Sequence, residues 1–224
     1  MADDVVDYSK KDRSQILLNV TKYPETPYEE FIVSQCNIEV VNALKLPTLG
    51  FKPYETILLI EGPIKSGKSL LAKNLANSSK GKIINHVSLI DEEHKLYIVD
   101  DSEKIPEEDL LHIFNFCDSY KFLLIIISNK LDKIQLKDLS SRIKAIKSVK
   151  IEEPDDIMIK MLIIKEFSKR SICVNNDVIQ FLVKRIKRNF QDIIQMVREI
   201  DEYCLKNKKN VNIKSISQMI GQTI

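Results

Sequence analysis

Five glycines are spread over 224 residues, and two of them fall inside Gly62-Pro63-Ile64-Lys65-Ser66-Gly67-Lys68-Ser69. This stretch satisfies the phosphate-loop pattern G-x-x-x-x-G-K-[ST] in full. At average glycine usage, a chance match in a chain this long is on the order of 1%. The chemistry needs these residue types. The glycines let backbone N–H groups curl around a β-phosphate, and the helix start that follows at Leu70 adds partial positive charge. Lys68 reaches the β/γ oxygens, and Ser69 ligates magnesium. The ligand implied is ADP or ATP with Mg2+. A phosphate loop also needs an acidic partner on a neighbouring strand, and Leu96-Tyr97-Ile98-Val99-Asp100-Asp101 supplies one. In this reading Asp100 holds the magnesium shell and Asp101 polarises the attacking water. An Asp-Asp pair after a strand can also simply start a turn.

These residues need elements to position them. The apolar run Ile57-Leu58-Leu59-Ile60 reads as the strand before the loop, and Leu70 to Ala76 reads as the helix after it. Lys82 to Val87, Leu96 to Val99 and Phe122 to Ile127 read as further core strands, Glu107 to Cys117 as an amphipathic helix, and Val149 to Ile151 as a short last strand. Asp100 then stands at a strand's carboxyl end, where ligands bind in open parallel sheets. After Pro154 the pattern changes. Residues 155–169, 176–187, 190–206 and 213–220 carry apolar residues at helical spacing with no strand between them, and Asn175-Asn176-Asp177 and Asn189 offer caps. The fold class expected is α/β: a doubly wound parallel-sheet core over residues 26–153, followed by an all-helical satellite over 154–224. Residues 1–25 form a polar N-terminal arm.

Composition narrows the function classes. A net charge of +2, with 44% hydrophobic and 29% charged residues, is that of an ordinary globular chain and not of a nucleic-acid coat. The apolar run from Phe122 to Ile127 is too short to cross a bilayer, and the acidic start Met-Ala-Asp-Asp lacks the basic region of a signal peptide. The expectation is a cytoplasmic protein with no membrane contact. The four cysteines and three histidines are scattered, without zinc or disulfide spacing.

A parallel core with a phosphate loop and a small helical lid resembles the AAA+ ATPases, and further segments resemble the DnaA-related branch. Tyr28-Glu29-Glu30-Phe31-Ile32-Val33-Ser34-Gln35-Cys36-Asn37 resembles the Phe-x-Val-Gly-x-x-Asn entry segment, with Ser34 where glycine is common. Leu139-Ser140-Ser141-Arg142-Ile143 resembles the arginine-finger box, and Glu153-Pro154-Asp155-Asp156 the opening of the lid. Phe181-Leu182-Val183-Lys184-Arg185 with Phe190 resembles the middle of the lid. DnaA continues into a separate duplex-binding domain, whereas this chain stops at Ile224 directly after the lid. That arrangement is most similar to the Hda-type regulators in their short alphaproteobacterial form. Ser14-Gln15-Ile16-Leu17-Leu18-Asn19-Val20 resembles the peptide by which such regulators dock on the sliding clamp, with Gln15, Ile16, Leu18 and Val20 as anchors. The same stretch also reads as a short strand or turn packed on the protein's own core.

The resemblance implies roles residue by residue. Asn129, after the fourth strand, takes the sensor 1 position and orients water. Gln191 takes the sensor 2 position, where an arginine is usual, and a neutral side chain cannot supply that charge. Arg142 becomes a finger acting on a neighbouring subunit, with no intramolecular partner evident; the plainer alternative is a surface salt bridge. Weak or negligible intrinsic ATP hydrolysis is therefore expected. The partners implied are DnaA and the β sliding clamp of DNA polymerase III, with DNA contacted only through the clamp, and self-association as a homodimer left open. A DnaC-like helicase-loading ATPase and a phosphate-loop kinase are the competing readings, the latter fitting the loop but not the Ser-Arg box.

Overall fold

The computed structural model describes residues 31–45, 56–131 and 133–222. The clamp-docking residues Gln15, Ile16, Leu18 and Val20 lie outside the described residues. In chain order the elements are α1 (Ile38–Lys45), β1 (Ile57–Glu61), α2 (Lys68–Ser79), β2 (Lys82–Ile84), β3 (Leu96–Val99), α3 (Glu107–Tyr120), β4 (Leu123–Ser128), α4 (Lys137–Ala145) and β5 (Lys147–Lys150). Four helices follow: α5 (Asp156–Ser168), α6 (Asn176–Val183), α7 (Phe190–Lys206) and α8 (Ile213–Gln222).

Runs such as Leu-Tyr-Ile-Val, apolar at every position, can only sit where both sheet faces are covered. The sheet has the order β2-β3-β4-β1-β5, with every neighbouring pair parallel. β1 lies between β4 and the edge strand β5, with Ile57 opposite Leu124, and Glu61 opposite both Ser128 and Lys150. Helices α1 and α2 cover one face, packing Val40, Leu44, Leu71 and Leu75 against Leu58, Ile60, Ile98 and Ile125. Helices α3 and α4 cover the other, where Ile113, Phe114 and Leu139 meet Leu59, Tyr97, Leu124 and Ile126. The register brings the ends of β1, β3 and β4 to one edge. The chain order jumps there between β1 and β4, which is the crevice where open α/β sheets bind ligands.

Helices α5–α8 build a third core around Ile159, Ile163, Phe167, Ile193, Val197 and Ile200. Asn175 and Asn189 cap their helices as the sequence suggests, and Asp155 adds a cap that the sequence reading did not single out. Asp155 accepts from Met158 N–H, Asn175 from Val178 N–H, and Asn189 from Gln191 and Asp192 N–H. Met158 and Phe190 belong instead to the sheet's own cluster with Leu71 and Ile151, so the lid is fixed to the sheet domain by buried side chains.

Several boundaries differ from the sequence expectation. β2 ends at Ile84 and not at Val87, because His86 caps a short 3-10 turn (Val87–Leu89) by accepting from Ser88 N–H. α6 stops at Val183 and not at Lys187; the turn that follows lets Ile186 enter the lid core and frees Asn189 to cap α7. α1 and α4 were not read from the sequence as helices. α4 carries only two buried residues, Leu139 and Ile143, so its apolar signal is sparse.

Candidate nucleotide-binding site

The turn from β1 into α2 has the geometry of an anion cradle. Gly67 has φ 94°, a left-handed conformation, and Lys65 has φ 66°. A side chain at Gly67 would also meet the Phe31 ring, 3.3 Å from a Cβ, and one at Gly62 would meet Ile151 Cβ at 2.8 Å. Both glycines are therefore required sterically, and Phe31 of the entry segment packs directly on the loop. Ser66 Oγ is buried with no hydrogen-bond partner, an arrangement that ordinarily costs about 1–3 kcal/mol. A phosphate oxygen would satisfy it.

Lys68 is buried, and its ammonium donates to Gly62 O (2.8 Å), Pro63 O (2.8 Å) and Asn129 Oδ1 (3.0 Å). An ammonium has three protons, so its donor capacity is filled by the loop itself and by Asn129. Burial lowers the Lys68 pKa, and the Glu103, Asp100 and Asp101 carboxylates, in that order, oppose the shift. Around Lys68 lies a cleft of about 570 Å³ lined by Ile64, Lys65, Gly67, Ser69, Leu70, Asp101, Lys104 and Asn129. Ser69, Asp101 and Asn129, assigned separately from the sequence, are thus brought to one cavity. Asp100 lies at the end of β3, where its Oδ1 accepts from Asp101 N–H at 3.0 Å. Asp101 is left-handed (φ 52°) and ion-pairs with the exposed Lys104 at 2.5 Å.

Two features fit a nucleoside phosphate, the orphaned Ser66 hydroxyl and a glycine cradle that no Cβ could share, and Lys68 would exchange its carbonyl contacts for phosphate oxygens. Magnesium would rest on Ser69 and Asp100 together with phosphate oxygens, since a Mg2+ site of this kind relies on substrate and water for most ligands. Among the described residues no cluster of three or more His, Cys, Asp or Glu could hold a metal by itself.

Sequence reasoning missed Glu103. Its carboxylate accepts from Ser128 Oγ at 3.0 Å, from Asn129 N–H at 3.3 Å and from the Asn129 side-chain amide. Asn129 is therefore clamped between Lys68 and Glu103. The only signal in the sequence was an acidic residue just past the Asp-Asp pair, in a 3-10 turn that periodicity does not reveal. Asp155 also does more than open the lid. Its Oδ2 accepts from Cys36 N–H at 3.1 Å, tying α5 to the entry segment.

Asp100 is next to the cleft but is not among its lining residues, and two further assigned residues, Gln191 and Arg142, stand apart from it. Gln191 is exposed in the first turn of α7 and is not among the residues lining the cavity. Neighbouring Arg188 is held by Asp156 at 2.5 Å. Arg142, on α4, is partly exposed and does have intramolecular partners, contrary to the sequence expectation. Its Nε donates to Asp138 at 3.1 Å, and its guanidinium lies 5.6 Å from the centre of the Phe114 ring.

The fold and the lid both have counterparts among known proteins. Residues 155–219 match the family model described as Hda, lid domain. Domain III of the replication initiation protein DnaA from Thermotoga maritima superposes with a TM-score of 0.68 at 18% identity, covering 87% of this chain and 95% of that one. AMPPCP-bound DnaA from Aquifex aeolicus gives 0.58 at 19% identity, covering 80% and 67% respectively. The RuvB Holliday junction branch migration motor of T. maritima gives 0.62 at 13% identity, covering 84% and 69%. No curated protein sequence matches the chain. The chain as a whole thus has the fold of DnaA domain III, and its last four helices match the lid domain of Hda.

Proposed function

We propose that this protein is a nucleotide-bound regulator of replication initiation: it holds ADP or ATP with Mg2+ in the phosphate-loop cleft, docks on the sliding clamp through Gln15, Ile16, Leu18 and Val20, and presents Arg142 to ATP held by DnaA. The observation that carries this reading is the separation of the two cationic centres. Lys68 is buried and turned inward on its own loop, while Arg142 stands partly exposed on α4, with an exposed Asp138 as its ion-pair partner. Such a surface pair is worth about 0–1 kcal/mol and exchanges readily for a stronger partner. A guanidinium placed on a developing γ-phosphate charge is worth about 10³ or more in rate.

The protein's own turnover should be slow. Gln191 offers no cation to the cleft, and Asn129, the residue assigned to orient water, is held by Glu103 and Lys68. Magnesium, where bound, neutralises charge on the phosphate oxygens; Lys68, Ser66 and the loop N–H groups bind and orient them.

The test is hydrolysis of ATP preloaded on DnaA, followed with the purified protein and clamp-loaded DNA. Acceleration that requires all components is expected, and it should vanish when Gln15 and Leu18 are replaced by alanine while the thermal transition stays nearly unchanged. No acceleration by the wild type under these conditions would contradict the proposal. A large drop in melting temperature on the double substitution would assign that stretch to the protein's own core.

A further inference from the structure

Charge is unevenly divided along the chain. Residues 155–224 carry 13 lysines and arginines against 8 aspartates and glutamates, a net +5, whereas residues 1–154 carry 21 against 24, a net −3. The asymmetry concentrates further at one corner. From Tyr203 to Ile224 there is no carboxylate side chain, but there are four lysines: Lys206, Lys208, Lys209 and Lys214. They surround the turn from α7 into α8. The last carboxylate before it, Glu202, is engaged by Arg198 at 2.7 Å.

The corner is ordered by its own bonds. Asn207 N–H donates to Tyr203 O, Lys208 N–H to Leu205 O, and Lys209 N–H to Cys204 O. Ser215 Oγ donates to Asn210 O at 2.9 Å, and Asn212 caps α8 by accepting from Ser215 N–H at 2.9 Å. Lys209 is committed locally, donating to Gln218 Oε1 at 2.8 Å and lying over the Tyr203 ring. Lys206, Lys208 and Lys214 are exposed and form no ion pair among the described residues. Three like charges flanking one short connection, on the end of α7, the turn and the start of α8, raise the local positive potential, which a polyanion relieves.

We infer that the α7–α8 corner of the lid is a contact surface for the phosphate backbone of duplex DNA. It is sequence-independent and centred on Lys206, Lys208 and Lys214. The chemistry favours a duplex over the other polyanions. Single strands bind through open aromatic faces, and the one aromatic ring at this corner, Tyr203, is covered by Lys209. An anionic membrane surface asks for a continuous apolar face alongside the cations, whereas the exposed positions here are mostly lysine and asparagine, with Leu205 on α7 and Ile213 on α8 as the exposed apolar residues. The other basic stretch of the lid is already engaged: Arg188 pairs with Asp156, and Arg185 stacks 3.8 Å over Phe181. The inference does not rest on the role proposed for Arg142, and it places a DNA contact on the protein itself, where the sequence suggested DNA only through the clamp.

Fluorescence anisotropy of a labelled 20-base-pair duplex with the full chain, without clamp or DnaA, tests it between 50 and 200 mM salt. Each phosphate contact contributes about −0.9 to the slope of log K against log salt, so the wild type should show a slope near −3. Replacing Lys206, Lys208 and Lys214 together by glutamine should bring the slope close to zero and weaken binding at 50 mM salt at least tenfold, with an unchanged melting transition. The triple arginine variant should bind as the wild type does. Control substitutions Lys184→Gln and Lys187→Gln should leave the slope as it was. An unaltered slope in the triple glutamine variant would overturn the inference. So would tighter binding to a single strand of the same length, or binding confined to vesicles containing anionic lipid.

Discussion

The two cationic centres of this molecule differ in where their charge is spent. Lys68 sits in a buried cradle, with its three protons given to Gly62 O, Pro63 O and Asn129 and with carboxylates gathered behind it. Arg142 lies on a surface helix one turn from Asp138, its charge half open to water. The lysine's environment suits a ligand whose anionic oxygens would take over the two 2.8 Å carbonyl bonds. The arginine's environment suits a partner from outside the chain. In the proposed function, burial separates a charge kept for the protein's own ligand from one available to another molecule.

Four substitutions sharpen or break that contrast. Phe190→Ala should act most strongly, because the ring is buried in the cluster that joins the lid to the sheet face beneath the phosphate loop. A loss of about 3–5 kcal/mol in denaturant unfolding is expected. Lys68→Ala should cut adenine-nucleotide affinity at least tenfold, about 1.4 kcal/mol, by calorimetry. Equal affinity in mutant and wild type would remove the phosphate-loop assignment. Glu103→Gln should raise ATP affinity about two- to fivefold and ADP affinity less, because a carboxylate beside Lys68 and Asn129 repels the terminal phosphate of the longer ligand most. Equal changes for both nucleotides would make Glu103 a purely structural partner of Asn129. Asp138→Ala should be the mildest, costing about 0.2–0.5 kcal/mol as expected for an exposed pair one helical turn apart, with nucleotide affinity unaltered.

The legible part of the structure was the part governed by unbroken patterns. Buried strands such as Leu96–Val99 declare themselves by continuous apolar runs, and the phosphate loop by glycine, lysine and serine at fixed spacing. Asn175 and Asn189 were recognisable as caps because a cap needs only its own side chain and the next turn. What stayed hidden depends on contacts distant in sequence. Glu103 bonds Asn129 from 26 residues away, and Asp155 reaches Cys36 from 119 residues away. The edge strand β5 reads from the sequence as Val149 to Ile151 but starts at Lys147, because the flanking lysines mask its start, and α4 is a helix that buries only Leu139 and Ile143. Arg142 shows the same limit, since its salt bridge to Asp138 and its place over Phe114 appear only once α4 is seen to be a helix packed beside α3.

The contrast between the two centres is tested most directly by Arg142→Ala, measured in parallel for nucleotide affinity and for hydrolysis of DnaA-bound ATP on clamp-loaded DNA. The account predicts a folded protein whose own nucleotide affinity stays within about twofold of the wild type, because Arg142 is not among the residues lining the cleft. It predicts that acceleration of DnaA falls by about 10³, to the unassisted rate. A variant that still accelerates DnaA as the wild type does would contradict the account and leave Arg142 as a surface ion pair.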